Sequence, residues 1–288
     1  MSTILVTGGA GFIGSHLVDR LITEDHTVLV VDDLTSGSEA NIHPEAKFFK
    51  DFDVTKDSFF KTKLKIDVIY HLAAISRIND CKARPDRAMD VNSGGTARML
   101  EMAKVLGSRF VYAGSSCSYW PRYSNIYGYT KWLGEEHCRF YANCHGVSTL
   151  IARFFNVYGP RCPQDGPGST VVGIFERQKA AGLPLTVTGD GRQRRDFIHV
   201  SDVVDGLLRL LDRSGCGEHF DFGTGINYEI LEIARMFCPD KVEFLPDPVG
   251  EAKYTLCQDD RASRELGWEP KIRIADYIFA GVSDRQGA

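Results

Sequence analysis

The stretch TILVTGGAGFIGSH near the N-terminus constrains the fold more than any other part of the sequence. Gly9, Gly11 and Gly14 form a GxGxxG pattern, which Gly8 extends, between an apolar run typical of a strand and the start of a helical pattern. Glycines at this spacing allow a tight turn and a close approach of the backbone to a pyrophosphate, while the helix N-terminus offers free N–H groups. The sequence therefore predicts a dinucleotide-binding βαβ unit.

A second apolar run, VLVVDDL, reaches Asp32 at the end of the next expected strand. An acid at this place accepts hydrogen bonds from the adenosine ribose hydroxyls, and its charge repels a 2′-phosphate. The sequence therefore predicts NAD rather than NADP. The alternative, a glycine-rich turn beside an exposed acid, is disfavoured because the glycines lie between a strand and a helix.

Short β-rich runs alternate with helical stretches, which predicts βαβ units and a parallel sheet. Strands are expected at residues 4–7, 27–31, 47–49, 67–71, 109–113, 148–152 and 185–188, and helices near 12–24, 86–106, 127–145, 171–181, 229–237 and 261–266. Two further strands, 197–200 and 220–221, are expected to return to the sheet.

These elements predict a Rossmann-type, doubly wound α/β fold with a smaller C-terminal substrate-binding lobe. The NAD-binding domain is expected to comprise residues 1–158, with returning segments near 197–224. The substrate-binding lobe is expected to comprise residues 159–196 and 225–288.

The composition is that of a globular protein, with 288 residues of which 43% are apolar and 25% charged. A net charge of −4 and the lack of a basic run give no indication of nucleic-acid binding. The chain reads directly into a strand, so neither a signal peptide nor a membrane helix is expected. The eight scattered cysteines lack paired or metal-ligand spacing, which favours reduced thiols in a cytoplasmic protein and no metal site.

The stretch GSSCSYWPRYSNIYGYTK follows the strand expected at 109–113. If the helix has begun by Tyr127, Lys131 lies on the same face one turn later. Free tyrosine has a pKa of about 10, and a nearby ammonium together with a cationic nicotinamide ring would lower it. The stretch therefore predicts Tyr127 as a general base, Lys131 as its partner and Ser115 as a hydrogen-bond donor to the reacting oxygen. A Tyr–Lys pair on a solvated helix face is the alternative, which the upstream glycine motif disfavours.

Several further blocks occur in an order that resembles the extended short-chain dehydrogenase/reductases, in particular the nucleotide-sugar 4-epimerases acting on UDP-glucose, UDP-GlcNAc or UDP-glucuronate. They are TGGAGFIGSHL, VVDDLTSG, HLAA, VNSGGT, YGYTK, RFFNVYGPR, GDGRQRRDFIHVSDVV and ELGWEP, and they span nearly the whole chain. The resemblance implies a tightly held NAD and a nucleotide-diphosphate sugar, with a UDP-sugar favoured. It also implies inversion at C4 by transient hydride transfer to NAD, which ends the cycle unchanged.

The same resemblance implies roles for individual residues. The cofactor would contact Gly8, Gly11, Phe12, Ile13, Gly14, Asp32, Asp53, Val54, Leu72, Ala73, Ala74, Asn92, Tyr127 and Lys131. The sugar nucleotide would contact Arg77, Ser116, Asn156, Arg195 and Thr255. A small side chain at Thr255 would admit N-acetylated sugars, and Arg77 would suit a uronic acid unless it is simply solvated.

The family commonly forms a homodimer through a four-helix bundle. The helices that follow VNSGGT and YGYTK would supply its face, with the residues Met99, Leu100, Met102, Ala103, Leu133, His137, Phe140 and Tyr141, although these residues would suit a core equally well. Charged residues such as Glu135 and Glu136 are expected on solvated helix faces.

Some positions depart from the relatives' patterns. Ser116 and Cys117 stand where 4,6-dehydratases carry Asp and Glu, so dehydration is not expected. GSSC resembles the GDP-fucose synthases, but their partner His has no counterpart after NVYGP, which favours Cys117 as a small buried residue.

The segment from Ser115 to Tyr127 is short, which would open the site or move Trp120 or Tyr123 into it. Pro248 replaces a diphosphate-binding Arg, so Arg195 would act alone or with either Arg161 or Lys253. A 4-ketoreductase and a non-catalytic NAD-binding relative are the rival interpretations.

Overall fold

The computed structural model describes residues 1–56, 65–166, 169–238, 240–247 and 252–283, and Pro248 lies outside these ranges. The strands are β1 (Thr3–Thr7), β2 (Thr27–Asp32), β3 (Lys47–Lys50), β4 (Val68–His71), β5 (Arg109–Ser115), β6 (Thr149–Phe154), β7 (Asn156–Tyr158), β8 (Leu185–Thr188), β9 (Arg194–His199), β10 (Cys216–Phe222), β11 (Asn227–Glu229) and β12 (Val242–Leu245). The helices are α1 (Phe12–Thr23), α2 (Ile78–Ala83), α3 (Pro85–Ala88), α4 (Thr96–Leu106), α5 (Ile126–His145), α6 (Val171–Ala180), α7 (Val200–Arg209), α8 (Ile230–Phe237), α9 (Arg261–Leu266) and α10 (Ile274–Ser283).

The main sheet has seven strands in the order β10-β6-β5-β4-β1-β2-β3. Every pairing within it is parallel, so all seven strands end at the same edge. This order contains the 3-2-1-4-5-6 arrangement of dinucleotide-binding sheets, in which ligands bind beyond the strand ends where the order reverses, between β1 and β4. The predicted Rossmann-type fold is therefore confirmed.

Helices cover both faces of this sheet because its strands alternate apolar side chains to either side. On one face, Leu17 and Leu21 of α1 and Val203 of α7 share a buried cluster with Val111 of β5. On the other face, α4 and α5 pack against a second buried cluster that includes Tyr112 of β5. The sheet is thus enclosed, and its open edge is where a ligand has access.

The C-terminal part of the chain builds two smaller sheets. One is β11-β9-β7 and the other is β12-β8. A third apolar cluster, which includes Tyr158, Phe175, Phe197 and Phe237, packs among their strands and helices. Only part of the predicted return to the main sheet is therefore correct, because β10 joins it beside β6 whereas the segment at 197–200 does not.

The reason for this difference is the path of the chain beyond β6. Asn156 to Tyr158 continue as β7, which pairs with β9 through Asn156 and Phe197. The side chain of His199 then caps α7, so β9 ends at once in a helix. Because its edges pair with β7 and β11, β9 belongs to the smaller lobe.

The helix expected at 86–106 is present but interrupted. Between α3 and α4, residues Met89–Gly95 form a wider π-helical turn, a feature often found at functional sites. The residues Met99, Leu100, Met102 and Ala103 on α4 are buried in the core of the subunit. Of the two places suggested for these residues, a dimer face and the core, the structure supports the core.

In the part of the chain that the structure describes, no helix has the length and apolarity required to cross a bilayer. No group of three His, Cys, Asp or Glu side chains in those residues is placed to hold a metal ion.

Candidate active site

The loop between β1 and α1 is shaped by the absence of side chains. Gly8 has φ +71°, and a Cβ there would lie 2.8 Å from the backbone nitrogen of Ala73. A Cβ on Gly14 would overlap the carbonyl oxygen of Gly8. Gly11 caps α1 without a side-chain hydrogen bond, which leaves the start of the helix at Phe12 accessible to an anionic group.

Asp32 ends β2 beside this loop. Its carboxylate accepts hydrogen bonds from the backbone N–H groups of Ala10, at 3.0 Å, and Leu34, at 2.9 Å. Burial raises the pKa of Asp32 above its usual value, although these two hydrogen bonds act in the opposite direction. The loop and the acid thus fit a pyrophosphate and a ribose diol, the groups that NAD presents.

Asp53 and Val54 follow β3. The Asp53 carboxylate accepts hydrogen bonds from the Thr55 hydroxyl at 2.7 Å and from the Arg87 guanidinium at 3.0 Å. Burial acts to raise the pKa of Asp53, but these hydrogen bonds outweigh it and hold the pKa far below its usual value. Val54 is buried against the π-helical turn, where a Cβ on Gly95 would collide with it.

A buried hydrogen-bond network holds the segment after β4, which contains Leu72, Ala73 and Ala74. His71 contacts the hydroxyls of Thr7 and Thr96 at 2.7 and 3.1 Å, and the Thr7 hydroxyl accepts the N–H of Ala73. Burial lowers the pKa of His71 to about 3, so the ring is neutral. This network fixes the strand ends facing the glycine loop without introducing charge.

Asn92 connects this network to α5. Its side-chain amide makes two hydrogen bonds to the backbone of Ile75, at 2.8 and 3.0 Å, and a third to the Thr130 hydroxyl at 3.1 Å. Thr130 lies between Tyr127 and Lys131 on α5. Asn92 therefore positions the segment after β4, which is predicted to contact the cofactor, relative to α5, which carries the predicted base Tyr127.

Ser115, Tyr127 and Lys131 come together where β5 ends. Ser115 ends the strand, and its hydroxyl accepts the N–H of Cys117 at 3.2 Å, whereas Tyr127 lies in the first turn of α5. The Lys131 ammonium donates to the carbonyl oxygen of Ala113 at 2.9 Å and lies 5.1 Å from the centre of the Tyr112 ring. Asn125 begins α5 by accepting the N–H of Gly128 at 2.7 Å.

The electrostatics of this group differ from the sequence-based expectation. Burial raises the pKa of Tyr127 above 10, and the nearby Ser115 hydroxyl offsets only part of that effect. Burial also lowers the pKa of Lys131, to about 8. The expected lowering of the Tyr127 pKa by Lys131 is wrong for the protein's own groups, because desolvation dominates and the ammonium is directed at a backbone carbonyl.

The predicted substrate residues lie on the smaller lobe and on the turn after β5. Asn156 donates to the Thr255 hydroxyl at 3.2 Å and to the backbone oxygen of Asp196 at 2.7 Å. Arg195 is buried and donates to the carbonyl oxygen of Arg194 at 3.0 Å. Asn156 is therefore in direct contact with Thr255 and with Asp196, the residue that follows Arg195 on β9.

Ser116 and Cys117 are buried in the turn that begins immediately after Ser115. Burial raises the pKa of Cys117 to about 11, and the positive charges of Arg195 and Lys131 reduce that effect. Arg195 thus lies close to the predicted catalytic group, whereas Arg77 is half-buried and donates to the carbonyl oxygen of Gly166 at 3.3 Å.

Two alternative partners for a diphosphate are already engaged in ion pairs. Arg161 pairs with Asp19 at 2.8 Å, and Lys253 pairs with Asp247.

The short segment after Ser115 directs its aromatic residues differently from the expectation. Tyr123 is 84% exposed and stacks near Tyr129. It is Tyr119 that is anchored, because its hydroxyl donates to the Asp221 carboxylate at 2.7 Å. Tyr119 thus contacts the end of β10, at the same edge of the sheet as Ser115.

Glu135 was expected on a solvated helix face, and this is wrong. Its side chain is fully buried and forms an ion pair with Arg153 at 2.6 Å. Asp196, also fully buried, accepts the backbone N–H groups of Thr224, Gly225 and Cys257. In the sequence, the position of Glu135 eight residues after Tyr127 indicates that its side chain points to the same side of the helix as Tyr127, toward the interior.

Comparison with known proteins agrees with this geometry. Residues 4–223 match the model of the NAD dependent epimerase/dehydratase family. The chain belongs to this family. NAD is accordingly its cofactor, and the glycine loop and Asp32 provide a fitting site.

The proteins that are similar to this chain have different activities. A UDP-glucose 4-epimerase of Mycolicibacterium smegmatis is 34% identical over 305 residues, which cover 96% of each protein. UDP-glucuronic acid decarboxylase 1 of Arabidopsis thaliana is 34% identical over 309 residues, 98% of this chain and 69% of that protein. The crystal structure of UDP-glucose 4-epimerase from Thermotoga maritima with UDP-glucose superposes with a TM-score of 0.91 at 28% identity, covering 99% of both chains.

Proposed function

We propose that this enzyme inverts C4 of a nucleotide-diphosphate sugar, with a UDP-sugar as the favoured substrate. The observation that carries the proposal is the placement of Ser115 at the end of β5, Tyr127 in the first turn of α5 and the buried Lys131, whose ammonium donates to the carbonyl oxygen of Ala113 on β5. UDP-sugar epimerases among the relatives and neighbours support it.

NAD, when bound, supplies the acceptor and then the donor of the C4 hydride, and its ring charge favours the tyrosinate. Tyr127 would remove the proton of the C4 hydroxyl, with Ser115 hydrogen-bonded to the same oxygen. Lys131 would hold its positive charge beside the site. Once the 4-keto sugar has rotated in the site to present its opposite face, Tyr127 would return the proton to the C4 oxygen. Atoms and electrons then balance without another reactant.

Binding would divide between the two lobes, with residues 1–158 holding NAD and 159–196 and 225–288 holding the sugar nucleotide. Arg195 would bind the diphosphate, since its guanidinium is buried near the Ser116–Tyr119 turn. Asn156 and Thr255 would border the sugar. A homodimer through the exposed faces of α4 and α5 is part of the proposal.

Decarboxylation is the second candidate, favoured by the similarity to a UDP-glucuronic acid decarboxylase and by Arg77, whose cation suits a carboxylate. Dehydration is less favoured, because Ser116 and Cys117 follow Ser115 in place of two acids.

Incubation with UDP-, dTDP-, GDP- and CDP-sugars, without NADPH, tests the proposal. Mass spectrometry should show a product of unchanged mass, and proton NMR should show the H4 coupling switched between axial and equatorial. Tyr127→Phe should lower the rate by about 100- to 10,000-fold while retaining bound NAD. Loss of carbon dioxide would instead establish decarboxylation, loss of water would establish dehydration, and no turnover on any sugar would refute an enzymatic role on these substrates.

A further inference from the structure

Glu135 is a fully buried carboxylate that the chemistry proposed above does not use. It lies on α5 eight residues after Tyr127 and four after Lys131, so all three point to one side of the helix. Its oxygens accept hydrogen bonds from the Ser118 hydroxyl at 2.6 Å, from the Arg153 guanidinium at 2.9 and 2.6 Å, and from the Arg139 guanidinium at 3.3 Å. Burial acts to raise the pKa of Glu135, but the contacts with Arg153 outweigh it and keep the carboxylate ionised.

Gly114 provides the space for this ion pair. Gly114 of β5 and Arg153 of β6 lie opposite each other in the sheet. A Cβ on Gly114 would lie 3.0 Å from Cγ of Arg153 and 3.2 Å from Oε1 of Glu135. The ion pair therefore crosses β5 immediately before Ser115.

The Ser118 contact connects Glu135 to the predicted catalytic hydroxyl. Ser118 belongs to the turn Ser116–Tyr119, which begins when the Ser115 hydroxyl accepts the N–H of Cys117 at 3.2 Å. Glu135 thus joins this turn, β6 and α5 at a single carboxylate. Its contacts set the separation between Ser115 at the end of β5 and Tyr127 at the start of α5.

Glu135 also supplies negative charge near Lys131. Burial lowers the pKa of Lys131, and nearby thiols and Glu135 oppose that effect. The thiols are neutral at pH 8, because burial raises the pKa values of Cys81 and Cys117 to about 11 and that of Cys138 well above its usual value. Of the groups that oppose the lowering of the Lys131 pKa, Glu135 is therefore the one that is ionised at pH 8. Other titratable side chains near it or Lys131 are His71, Tyr112, Arg139, Arg153, His219 and Asp221.

We propose that Glu135 is a positioning residue for the C4 chemistry. Through Ser118 and Arg153 it holds the turn after Ser115 against α5, and its charge keeps Lys131 in the ammonium form. This inference rests on the proposed function, since the geometry it maintains is that of the Ser115–Tyr127 pair.

The holoenzyme carrying Glu135→Gln tests this role, with Glu136→Gln as the matched control. The Gln amide keeps the size of the side chain but turns a donor toward Arg153. Glu136 is the neighbouring helix residue, is 44% exposed and pairs with Arg139, which also contacts Glu135, so this control removes an adjacent charge but leaves the Glu135 carboxylate and its contacts with Ser118 and Arg153 in place. Glu135→Gln should lower kcat about 10- to 100-fold, since small displacements of reacting groups cost that much. KM should change less than about 2-fold, and Glu136→Gln should match the wild type in both.

The high-pH limb of the kcat–pH profile distinguishes an effect of the Glu135 charge from a purely structural role of this residue. Without that charge Lys131 loses its proton more easily, so activity should fall at a pH lower by about one unit. Ser118→Ala retains the charge but removes the link to the turn, so it should lower kcat without moving this limb. Unchanged kcat and an unchanged limb in Glu135→Gln would overturn the proposal, and an unchanged kcat in Ser118→Ala would overturn the role of the turn.

A titration that needs no turnover distinguishes this proposal from the proposed function. NMR of selectively labelled lysine, assigned with Lys131→Arg, should show Lys131 titrating at lower pH in Glu135→Gln than in the wild type and in Glu136→Gln. If the wild type converts no nucleotide sugar, the proposed function fails while this titration still decides the charge effect. If Glu135→Gln does not fold, kcat of Ser118→Ala decides the positioning effect, and an unchanged value refutes it.

Discussion

The two sides of the open sheet edge are built by opposite means. Around β1, β2 and β4 the site is a space left by absent side chains, bordered by a neutral network of His71 with two threonines. Around β5, β6 and β10 it is supported by buried charges, among them Glu135, Arg153, Asp221 and Asp196. The cofactor side therefore depends chiefly on backbone shape, with Asp32 as its buried acid, whereas the side proposed to bind the sugar nucleotide depends on several buried charges, and substitutions should affect the two sides in different ways.

The largest expected effect is on the cofactor side. Gly14→Ala places a Cβ against the carbonyl oxygen of Gly8, a backbone atom that cannot rotate away. The substitution should cost about 3 kcal/mol of stability and remove bound NAD, which an acid extract and thermal melting measure. Gly94→Ala is the control, because its Cβ would lie an ordinary 3.9 Å from Met89 and should change stability by less than about 0.5 kcal/mol. If Gly14→Ala retained its full content of NAD, the close approach of Gly14 to the backbone of Gly8 would not be what shapes the cofactor side.

Arg195→Ala should give the next largest effect, on the substrate side. Removal of a buried guanidinium that binds phosphate costs about 2–3 kcal/mol of binding, or a rise in KM of about 30- to 150-fold, with NAD retained. Arg192→Ala removes an exposed arginine of the same segment, 79% solvent-accessible, and should leave KM unchanged. Normal substrate affinity in Arg195→Ala, measured by calorimetry, would refute its assignment to the diphosphate.

Asp221→Asn should instead raise stability. One Asp221 oxygen is buried with no hydrogen-bond partner among the residues described, 3.9 Å from Arg153. Burial raises the pKa of Asp221 to about 6, so the folded protein binds more protons than the unfolded chain between about pH 4 and 6, and stability falls as pH rises through that range. The Asn variant removes this loss, so it should be about 1–2 kcal/mol more stable at pH 7.5. Denaturant unfolding of both proteins should be measured at pH 7.5 and near pH 4. The stability advantage of Asp221→Asn over the wild type should disappear near pH 4, and an equal difference in stability at the two pH values would contradict a role for ionisation of Asp221.

The same contrast explains what the sequence could predict. The β1–glycine–α1 unit and Asp32 depend on neighbours within about thirty residues, so spacing alone predicted them. Glu135 and Arg153 lie 18 residues apart and on different elements, and Asp196 holds Cys257 across 61 residues. Such pairings depend on the strand order and on the path of β7 and β9. Local patterns therefore predicted a solvated Glu135 and a return of 197–200 to the main sheet, and both predictions were wrong.

Asn125→Ala should give the smallest effect. It tests α5, the helix at which the two sides meet, because this helix carries both Tyr127 and the buried Glu135. The Asn125 side chain caps α5 by accepting the N–H of Gly128 at 2.7 Å. Loss of this cap should cost about 1 kcal/mol and lower kcat by less than about 10-fold, since Glu135 still anchors the helix about three turns further on. Asn143→Ala, an exposed position on the same helix, is the control for melting temperature and kcat. A loss of kcat in Asn125→Ala as large as that in Glu135→Gln would mean that the cap, rather than the buried charge, positions Tyr127.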